Sequence, residues 1–252
     1  MKEPMVSVVM PAFNAERYIA EAINSVKRQT IRDWELLVVD DCSTDSTTSI
    51  VADEACKDAR IRLIANEENL GAAAARNAGL SECRGKYVAL LDSDDLWEAT
   101  KLEKQVRCAK ESGAGVVYCS YALIDESGRK AFPDYIVPNR TDFASMLEES
   151  VIGCSTALID GELTRRCQFP TNVYHEDYAY WLCLLKNGAS AVGVRDVLAS
   201  YRIHAGSRAS NKIKSAIKRY RVYRDYLGVP LYRSLKLMSK YCVNGIKKYR
   251  KT

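Results

Sequence analysis

Apolar and polar positions divide the first half of the chain into alternating predicted strands and helices. Residues 6–10 are apolar on both faces, as in a buried parallel strand, and Pro11 is expected to end that strand. Further strands are predicted at 34–39, 61–64, 87–91 and 116–119. Helices are predicted between them at about 16–28, 47–55, 71–80 and 100–111. This alternation indicates an α/β fold with a mostly parallel central sheet flanked by helices.

The second half is less regular. The pattern indicates a strand at 156–159, a helix at 176–186 and a strand at 197–203. Two helical stretches are predicted from Asn211 onward, with a break at 228–230 (Gly-Val-Pro).

Composition places the chain among globular proteins. It has 252 residues, of which 47% are hydrophobic and 27% are charged, so one large or two small domains are expected. No apolar run approaches the roughly 18 residues of a membrane span. The nine cysteines are odd in number and contain no CxxC pair, and no apolar leader precedes the first strand. We therefore expect a cytoplasmic protein with reduced, buried thiols.

Carboxylates follow the second and fourth strands, in the pairs and clusters Asp40-Asp41 and Asp92-Ser93-Asp94-Asp95. Because ligands bind beyond the carboxyl ends of parallel strands, both groups are expected to open onto one crevice. The second cluster can hold Mg²⁺ or Mn²⁺ together with diphosphate oxygens, or it is a solvated turn. The first can accept hydrogen bonds from a ribose or a base, or it caps the Ser/Thr-rich turn that follows.

Three further segments can carry chemistry. At 69–77, Gly71 permits close approach at a helix start and Arg76 can fork onto a phosphate or base edge; a packed Ala helix with an exposed Arg is the alternative. Glu176 and Asp177 begin a helix, where a carboxylate can take a proton from an attacking hydroxyl or simply favour the helix dipole. Arg202 and His204 can reach a diphosphate or a metal, or His204 is a lone surface histidine.

Two absences narrow the possibilities. The sequence contains neither GxGxxG nor GxxxxGK[ST] near the predicted strands, which disfavours a dinucleotide-type Rossmann site and a P-loop. His175 and His204 are the only histidines, so a multi-histidine metal site is excluded.

The order and spacing of these motifs resemble the family 2 glycosyltransferases, which are inverting enzymes with the GT-A fold. The resemblance covers about residues 5–205. Its segments are Pro11 to Asn14, Val38 to Asp45, Asn69 to Asn77, Asp92 to Asp95 and Glu176-Asp177. One departure is Cys42, where the family usually has Gly, so a non-Gly residue has to make that turn.

The resemblance implies a role for each motif. The nucleotide-binding positions would be Pro11, Ala12, Phe13, Asp40, Asp41, Arg76, Asp92, Ser93, Arg202 and His204. Asp92 and Asp94 form a DxD-like signature, in which Asp94, with His204 also in reach, would hold Mn²⁺ or Mg²⁺. Asp177 would be the catalytic base, supported by Glu176.

The implied reaction moves a sugar from a nucleoside-diphosphate sugar, expected to be a UDP-sugar, to a hydroxyl of a glycan or polyprenyl-linked acceptor in bacterial surface polysaccharide synthesis. One alternative is a catalytically weak nucleotide-sugar-binding or scaffold protein. A sugar-phosphate nucleotidyltransferase is disfavoured, because residues 11–14 are not the Gly/Arg-rich phosphate loop that such an enzyme needs after its first strand.

The net charge of +5 conceals a strong asymmetry. Residues 208–252 hold 14 Lys and Arg against one acid, whereas residues 1–207 hold 23 bases and 31 acids. We therefore expect a catalytic domain at 1–207, with a nucleotide-binding half at about 1–120 and an acceptor-binding half at 121–207, and a basic amphipathic tail at 208–252. The tail can lie on an anionic membrane at the inner face of the cell membrane, or pack its apolar stripe on the domain. No nucleic-acid partner is expected, because no nucleic-acid motif accompanies the charge.

Overall fold

The computed structural model describes residues 3–204 and 212–250, with the side chains of 3–204 and 215–241. Its strands are β1 (Val6–Ala12), β2 (Trp34–Asp40), β3 (Ile61–Ala65), β4 (Tyr87–Leu90), β5 (Leu96–Trp97), β6 (Val116–Ile124), β7 (Lys130–Tyr135), β8 (Arg140–Thr141), β9 (Leu158–Asp160) and β10 (Ala191–Arg202). Its helices are α1 (Ile19–Lys27), α2 (Thr47–Lys57), α3 (Ala72–Ser81), α4 (Lys101–Ser112), α5 (Phe143–Glu148), α6 (Gly161–Thr164), α7 (Glu176–Lys186), α8 (Lys212–Arg221) and α9 (Leu231–Arg250).

The strands of the described chain form one sheet in the order β3-β2-β1-β4-β9-β6-β10-β5, with β7 paired to β6 and β8 to β10. β3, β2, β1 and β4 run parallel to one another, and β6 runs parallel to β10. β9 is antiparallel to both β4 and β6, and so joins the two parallel groups. The carboxyl ends of β1, β2 and β4 therefore lie side by side at one edge. This confirms the predicted α/β fold with a mostly parallel sheet.

Strand alternation divides the core into two layers. Val9 and Leu37 point to one face of the sheet, where α7 buries Trp181 and its neighbours. Val8 and Met10 point to the other face, against α1 and α4. Because both faces of the central strands are covered, these strands are apolar at every position rather than at every second one.

The prediction that Pro11 ends the first strand is wrong. β1 continues to Ala12 through its pairing with β2, in which Pro11 lies opposite Val39. Its pairing with β4 ends at Val9. Pro11 lies beyond that last paired residue, so its missing N–H removes no hydrogen bond from the β4 ladder.

The prediction of reduced thiols is wrong for Cys167 and Cys183, which form a disulfide between the segment before α7 and α7 itself. Their Cα atoms lie 6.4 Å apart, although 16 residues separate them in sequence. Their pairing depends on how α7 packs, so spacing alone gave no signal for it. Cys56 is exposed rather than buried.

The tail forms two helices with a break at 228–230, as predicted. Between them, residues 222–226 form one π-helical turn. Val222, Tyr223 and Leu237 are buried in the same core layer as α7. No helix in the described ranges is both long and apolar enough to cross a bilayer. The predicted boundary at 207/208 falls within 205–211, outside the described residues.

Candidate active site

The ends of β1 and β2 begin the site. Pro11 and Ala12 are buried at the end of β1, whereas the next residue, Phe13, is 49% exposed. Asp40 ends β2, and Asp41 donates its backbone N–H to the Ala12 carbonyl. The first two predicted nucleotide-binding segments are therefore adjacent at one edge of the sheet.

Asp41 binds the loop that leads into α3. One of its oxygens accepts from Asn66 Nδ2 at 2.9 Å and from the Leu70 N–H, and the other accepts from the Gly71 N–H at 2.7 Å. Gly71 has a φ of +84°, which a side chain would disfavour. Asp41 thus fixes the start of α3, and both its oxygens are engaged by the protein.

Asp40 differs from Asp41 in having a buried oxygen left over. Its Oδ2 accepts from the Ser43 N–H at 3.1 Å and from Thr48 Oγ1 at 3.2 Å. Its Oδ1 is buried without a hydrogen-bond partner among the described residues. A buried acceptor without a partner is rare in proteins, and it suits a ligand hydroxyl or N–H. Oδ2 of Asp40 thus caps the Ser/Thr-rich turn, whereas Oδ1 is the oxygen that could accept a hydrogen bond from a ligand.

Cys42 makes the turn after these two residues, with a φ of +65°. This is the left-handed conformation that glycine adopts readily and other residues rarely. The prediction that a non-Gly residue has to make this turn is confirmed.

Arg76 connects three motifs that are distant in sequence. Its Nη2 donates to Asp92 Oδ1 at 2.7 Å, and its Nη1 donates to Glu176 Oε1 at 3.2 Å. Arg76 is only 5% exposed, so the alternative of an exposed arginine on α3 is wrong. Its observed partners are protein carboxylates, and a contact with a nucleotide stays a prediction.

The cluster after β4 contains one structural and two more accessible aspartates. Asp95 is buried and accepts from Ser155 Oγ at 2.5 Å and from the Arg202 N–H at 2.9 Å. The same Ser155 hydroxyl accepts from the Asp92 N–H at 3.0 Å. Burial, with the charges of Asp94 and Asp92, raises the pKa of Asp95 well above its usual range. Ser155 and Asp95 therefore hold the loop, while the side chains of Asp92 and Asp94 stay partly exposed.

Asp94 and His204 lie together, with 2.9 Å between Asp94 Oδ2 and His204 Nε2. Burial, followed by the charge of Asp92, raises the pKa of Asp94. A carboxylate beside an imidazole, both partly exposed, suits a divalent cation that takes its other ligands from diphosphate and water. No group of three or more His, Cys, Asp or Glu side chains that could hold a metal ion occurs in the described part of the chain.

Arg202 is buried behind this loop. Its Nε donates to the Asp94 carbonyl at 2.8 Å, its Nη1 to the Glu126 carbonyl at 3.2 Å, and its Nη2 to Glu21 at 2.8 Å. The guanidinium also lies 4.4 Å from the Tyr18 ring centroid. All three nitrogens contact protein, so these contacts hold the Asp94 backbone, and the predicted contact with a diphosphate stays a prediction.

Glu176 and Asp177 form the first turn of α7. His175 precedes them with a φ of +65°, and the Tyr178 N–H donates to Asp177 Oδ1 at 2.7 Å. Burial and the neighbouring charge of Glu176 raise the pKa of Asp177, against the opposing effect of Arg76. A carboxylate with a raised pKa is better matched to proton transfer near neutral pH than an ordinary one.

The structure thus links most of the predicted positions by direct contacts. Arg76 joins Asp92 to Glu176, and His204 joins Asp94. Three residues that support the site were missed by the sequence analysis: Ser155, which holds Asp92 and Asp95, and Tyr18 and Glu21, which hold Arg202. Ser93 lies between the two aspartates of the signature, partly exposed.

Solved structures show the same fold. S. aureus TarS in complex with UDP-GlcNAc superposes with a TM-score of 0.74 at 22% identity, over 94% of this chain and 71% of TarS. The mannosyltransferase PcManGT from Pyrobaculum calidifontis, in complex with GDP-Man and Mn²⁺, gives a TM-score of 0.72 at 22% identity, over 96% of this chain and 70% of PcManGT. The chain therefore has the GT-A fold of these glycosyltransferases.

The family model for glycosyl transferase family 2 matches residues 7–167, and the chain belongs to this family. It is 39% identical to the Bacillus subtilis glycosyltransferase TuaG, whose name assigns it provisionally to teichuronic acid biosynthesis, over 98% of both chains. It is 38% identical to the Escherichia coli UDP-Glc:alpha-D-GlcNAc-diphosphoundecaprenol beta-1,3-glucosyltransferase WfgD, over 99% of this chain and 96% of that protein. The resemblance seen in the motifs is thereby confirmed.

Proposed function

We propose that this protein is an inverting glycosyltransferase that moves a sugar from a UDP-sugar to a hydroxyl of a lipid-linked glycan in bacterial surface polysaccharide synthesis. The observation that carries the proposal is the Arg76 bridge, because it fixes the base-bearing turn of α7 against the DxD-like loop. Sugar transfer needs a base for the acceptor hydroxyl and a binding site for the departing diphosphate, and this bridge holds the segments proposed for the two roles side by side. The names of TuaG and WfgD support the acceptor class and the pathway.

The nucleoside is proposed to bind at the ends of β1 and β2. Asp40 Oδ1 supplies a buried acceptor for a ligand hydroxyl or N–H, and the exposed ring of Phe13 lies at the adjacent strand end. Pro11 and Ala12 form the wall behind, and Asp41 shapes the entrance through the Gly71 loop. Arg76, paired with Asp92, and Ser93, in the loop after β4, are also proposed to contact the nucleotide.

Asp94 and His204 are proposed to hold Mn²⁺ or Mg²⁺, which would neutralise charge on the leaving diphosphate. The chain's own residues perform the remaining steps. Asp177 accepts the proton of the acceptor hydroxyl as that oxygen forms a bond to the anomeric carbon. The bond from that carbon to the diphosphate oxygen breaks on the opposite face, so the configuration inverts. Glu176 and Arg76 keep Asp177 in place, and Arg202 holds the Asp94 backbone.

The tail is proposed to lie on an anionic membrane at the cytoplasmic face, where a polyprenyl-linked acceptor is found. α9 has two apolar faces. Leu237 lies in the core, whereas Leu231, Tyr232 and Leu235 are exposed beside basic residues such as Lys236. Packing on the domain therefore explains the buried face of α9, which includes Leu237, but not the exposed apolar face. We propose that residues 1–207 form the catalytic domain and that residues 208–252 form the membrane-binding tail.

Release of UDP from a UDP-sugar, measured with and without Mn²⁺ and acceptor, tests the proposed function. We expect metal-dependent release that rises when acceptor is added and is abolished by Asp94→Ala. A scaffold or sensor protein would bind the nucleotide sugar with no release under any of these conditions.

A further inference from the structure

The tail helix α8 lies directly against the segment that carries the proposed base. Ser215 Oγ is 3.2 Å from His175 Nε2, Lys218 Nζ is 4.5 Å from the Tyr174 ring centroid, and Arg219 Cζ is 4.2 Å from the Tyr178 ring centroid. The three tail residues are spaced i, i+3 and i+4, so they share one face of the helix. Their partners lie on both sides of Glu176 and Asp177. The basic tail therefore contributes directly to the surroundings of the base.

The two cations on this face have different roles. Arg219 is buried, and it donates to Tyr223 Oη at 2.7 Å and to the Met146 carbonyl at 3.1 Å. Lys218 is partly exposed, and within the described ranges it lies in no ion pair with a carboxylate. Arg219 is thus a structural cation, whereas the Lys218 ammonium lies against the Tyr174 ring.

Tyr174 provides a surface beside that ammonium. Its ring is 60% exposed, three residues before Asp177, although a tyrosine usually buries most of its ring. An exposed ring offers a flat apolar face for the C–H groups of a sugar. A cation next to it suits an anionic group attached to that sugar. Ile217, the residue before Lys218 on α8, is also exposed.

We infer that Tyr174 and Lys218 form the binding site for the sugar diphosphate head group of the lipid-linked acceptor, with the ring against the acceptor sugar and the ammonium on its diphosphate. The inference rests on the proposed function for the class of acceptor. It accounts for a cation, Lys218, beside an exposed ring, Tyr174, three residues before the proposed base Asp177. A lipid diphosphate sugar carries an anionic diphosphate directly beside the sugar whose hydroxyl attacks.

Binding of an alkyl α-GlcNAc diphosphate, measured by calorimetry with the donor site saturated by UDP and Mn²⁺, tests the inference. Saturation separates acceptor diphosphate from donor diphosphate as the source of the signal. We expect Lys218→Met to weaken binding at least about tenfold, the scale of one lost charge-assisted hydrogen bond, and Lys218→Arg to retain most of it. Tyr174→Ala is expected to weaken binding similarly and Tyr174→Phe to preserve it. Lys110→Met, an exposed cation at the end of α4, is the matched control.

An alkyl α-GlcNAc glycoside without phosphate separates the two roles. The Tyr174→Ala effect should persist with it, while the Lys218→Met effect should disappear. The inference is overturned if Lys218→Met binds the diphosphate as the wild type does, or if the wild type does not bind it. UDP release from a UDP-sugar is measured in parallel. Release without acceptor-analogue binding would reject this site alone, whereas binding without release would reject the proposed reaction.

Discussion

Arg76 and Glu176 are 100 residues apart in sequence, and their side chains are joined by a 3.2 Å hydrogen bond in the buried floor of the site. The same guanidinium pairs with Asp92 at 2.7 Å. Arg76 therefore fixes the distance between the loop after β4, which is proposed to bind the leaving diphosphate, and the first turn of α7, which is proposed to deprotonate the acceptor hydroxyl.

Replacing Arg76 should damage both stability and turnover. Arg76→Met leaves two partly buried carboxylates without their shared partner, which typically costs about 3 kcal/mol of unfolding free energy. Arg76→Lys keeps the charge but not the fork that reaches two carboxylates, so we expect a folded protein with kcat reduced at least about tenfold. Denaturant unfolding and steady-state kinetics measure the two effects. Normal kcat in Arg76→Lys would show that the bridge does not position the site.

The acid side of the pH profile should depend on Glu176. Burial and the Glu176 charge raise the pKa of Asp177, so kcat/KM should fall as the pH falls through that raised pKa. Glu176→Gln removes a negative neighbour of Asp177 and also one of the two carboxylates that offset the positive charge of Arg76. Both changes lower the pKa of Asp177, and the acid limb should therefore move to lower pH. Glu162→Gln, a change at an exposed residue of α6, should leave the acid limb of the kcat/KM profile at the same pH. If the acid limb of Glu176→Gln is also unchanged, Glu176 does not affect the pKa of the base.

Asp177 itself is tested by substitution. Asp177→Asn keeps the shape of the side chain but removes its capacity to accept a proton. We expect nucleotide-sugar binding to persist and kcat to fall at least about a hundredfold. A near-normal kcat in Asp177→Asn would show that another group is the base.

Asp94 and His204 should determine the metal requirement together. We expect Asp94→Ala to abolish Mn²⁺-stimulated UDP release and His204→Ala to raise the Mn²⁺ concentration for half-maximal rate by about tenfold or more. Mn²⁺ binding followed by electron paramagnetic resonance in the presence of UDP gives a readout independent of turnover. Asp196→Asn, at an exposed carboxylate on β10, is the control. Unchanged Mn²⁺ binding in both variants would place the metal elsewhere.

Because of Lys101, the unfolding free energy of the protein should rise as the pH is raised from about 8 to about 10. It is fully buried, donates to Gln105 Oε1 at 2.6 Å, and lies 4.0 Å from the Trp97 ring centroid. Burial lowers its pKa to about 8 from an ordinary value of 10.5. The unfolded chain therefore holds more protons between these values, and the unfolding free energy should rise with pH by up to about 1.4 kcal/mol per unit. Lys101→Met should lack that rise; parallel pH curves for the two proteins would contradict the assignment.

The exposed face of α9 should control vesicle binding. Replacing Leu231 and Leu235 by Ser is expected to weaken binding to phosphatidylglycerol vesicles at least about tenfold, because each buried side chain contributes about 1.5 kcal/mol or more. Phe132→Ser, an equally exposed apolar residue on β7, should have no effect. Binding by the wild type should weaken with salt. A wild type that fails to bind such vesicles at any salt concentration would refute the membrane proposal.

Local pattern was sufficient for the buried strands β1 to β4 and the helices between them, because buried strands and amphipathic helices carry their own periodicity. The strands β5, β7 and β8 were not predicted, since they are short or exposed and are defined by their pairing with β6 and β10. The positions of Asp40, Asp92, Glu176 and Asp177 at strand and helix ends followed from the same reasoning. Ser155 and the disulfide could not be predicted, since both depend on long-range packing around β9 and α7. The separate duties of adjacent aspartates, such as Asp40 and Asp41, depend on single hydrogen bonds that composition does not encode.

The last turn of α5 obtains hydrogen-bond donors from α8 and from the π-helical turn that follows it. Arg219 and Tyr223 donate to the carbonyls of Met146 and Leu147, and Tyr178 shares the first of these. During synthesis these carbonyls leave the ribosome well before the groups that satisfy them. The last turn of α5 is therefore completed only after residues 219 and 223 have been made, so the folding of the catalytic body depends on the first part of the basic tail.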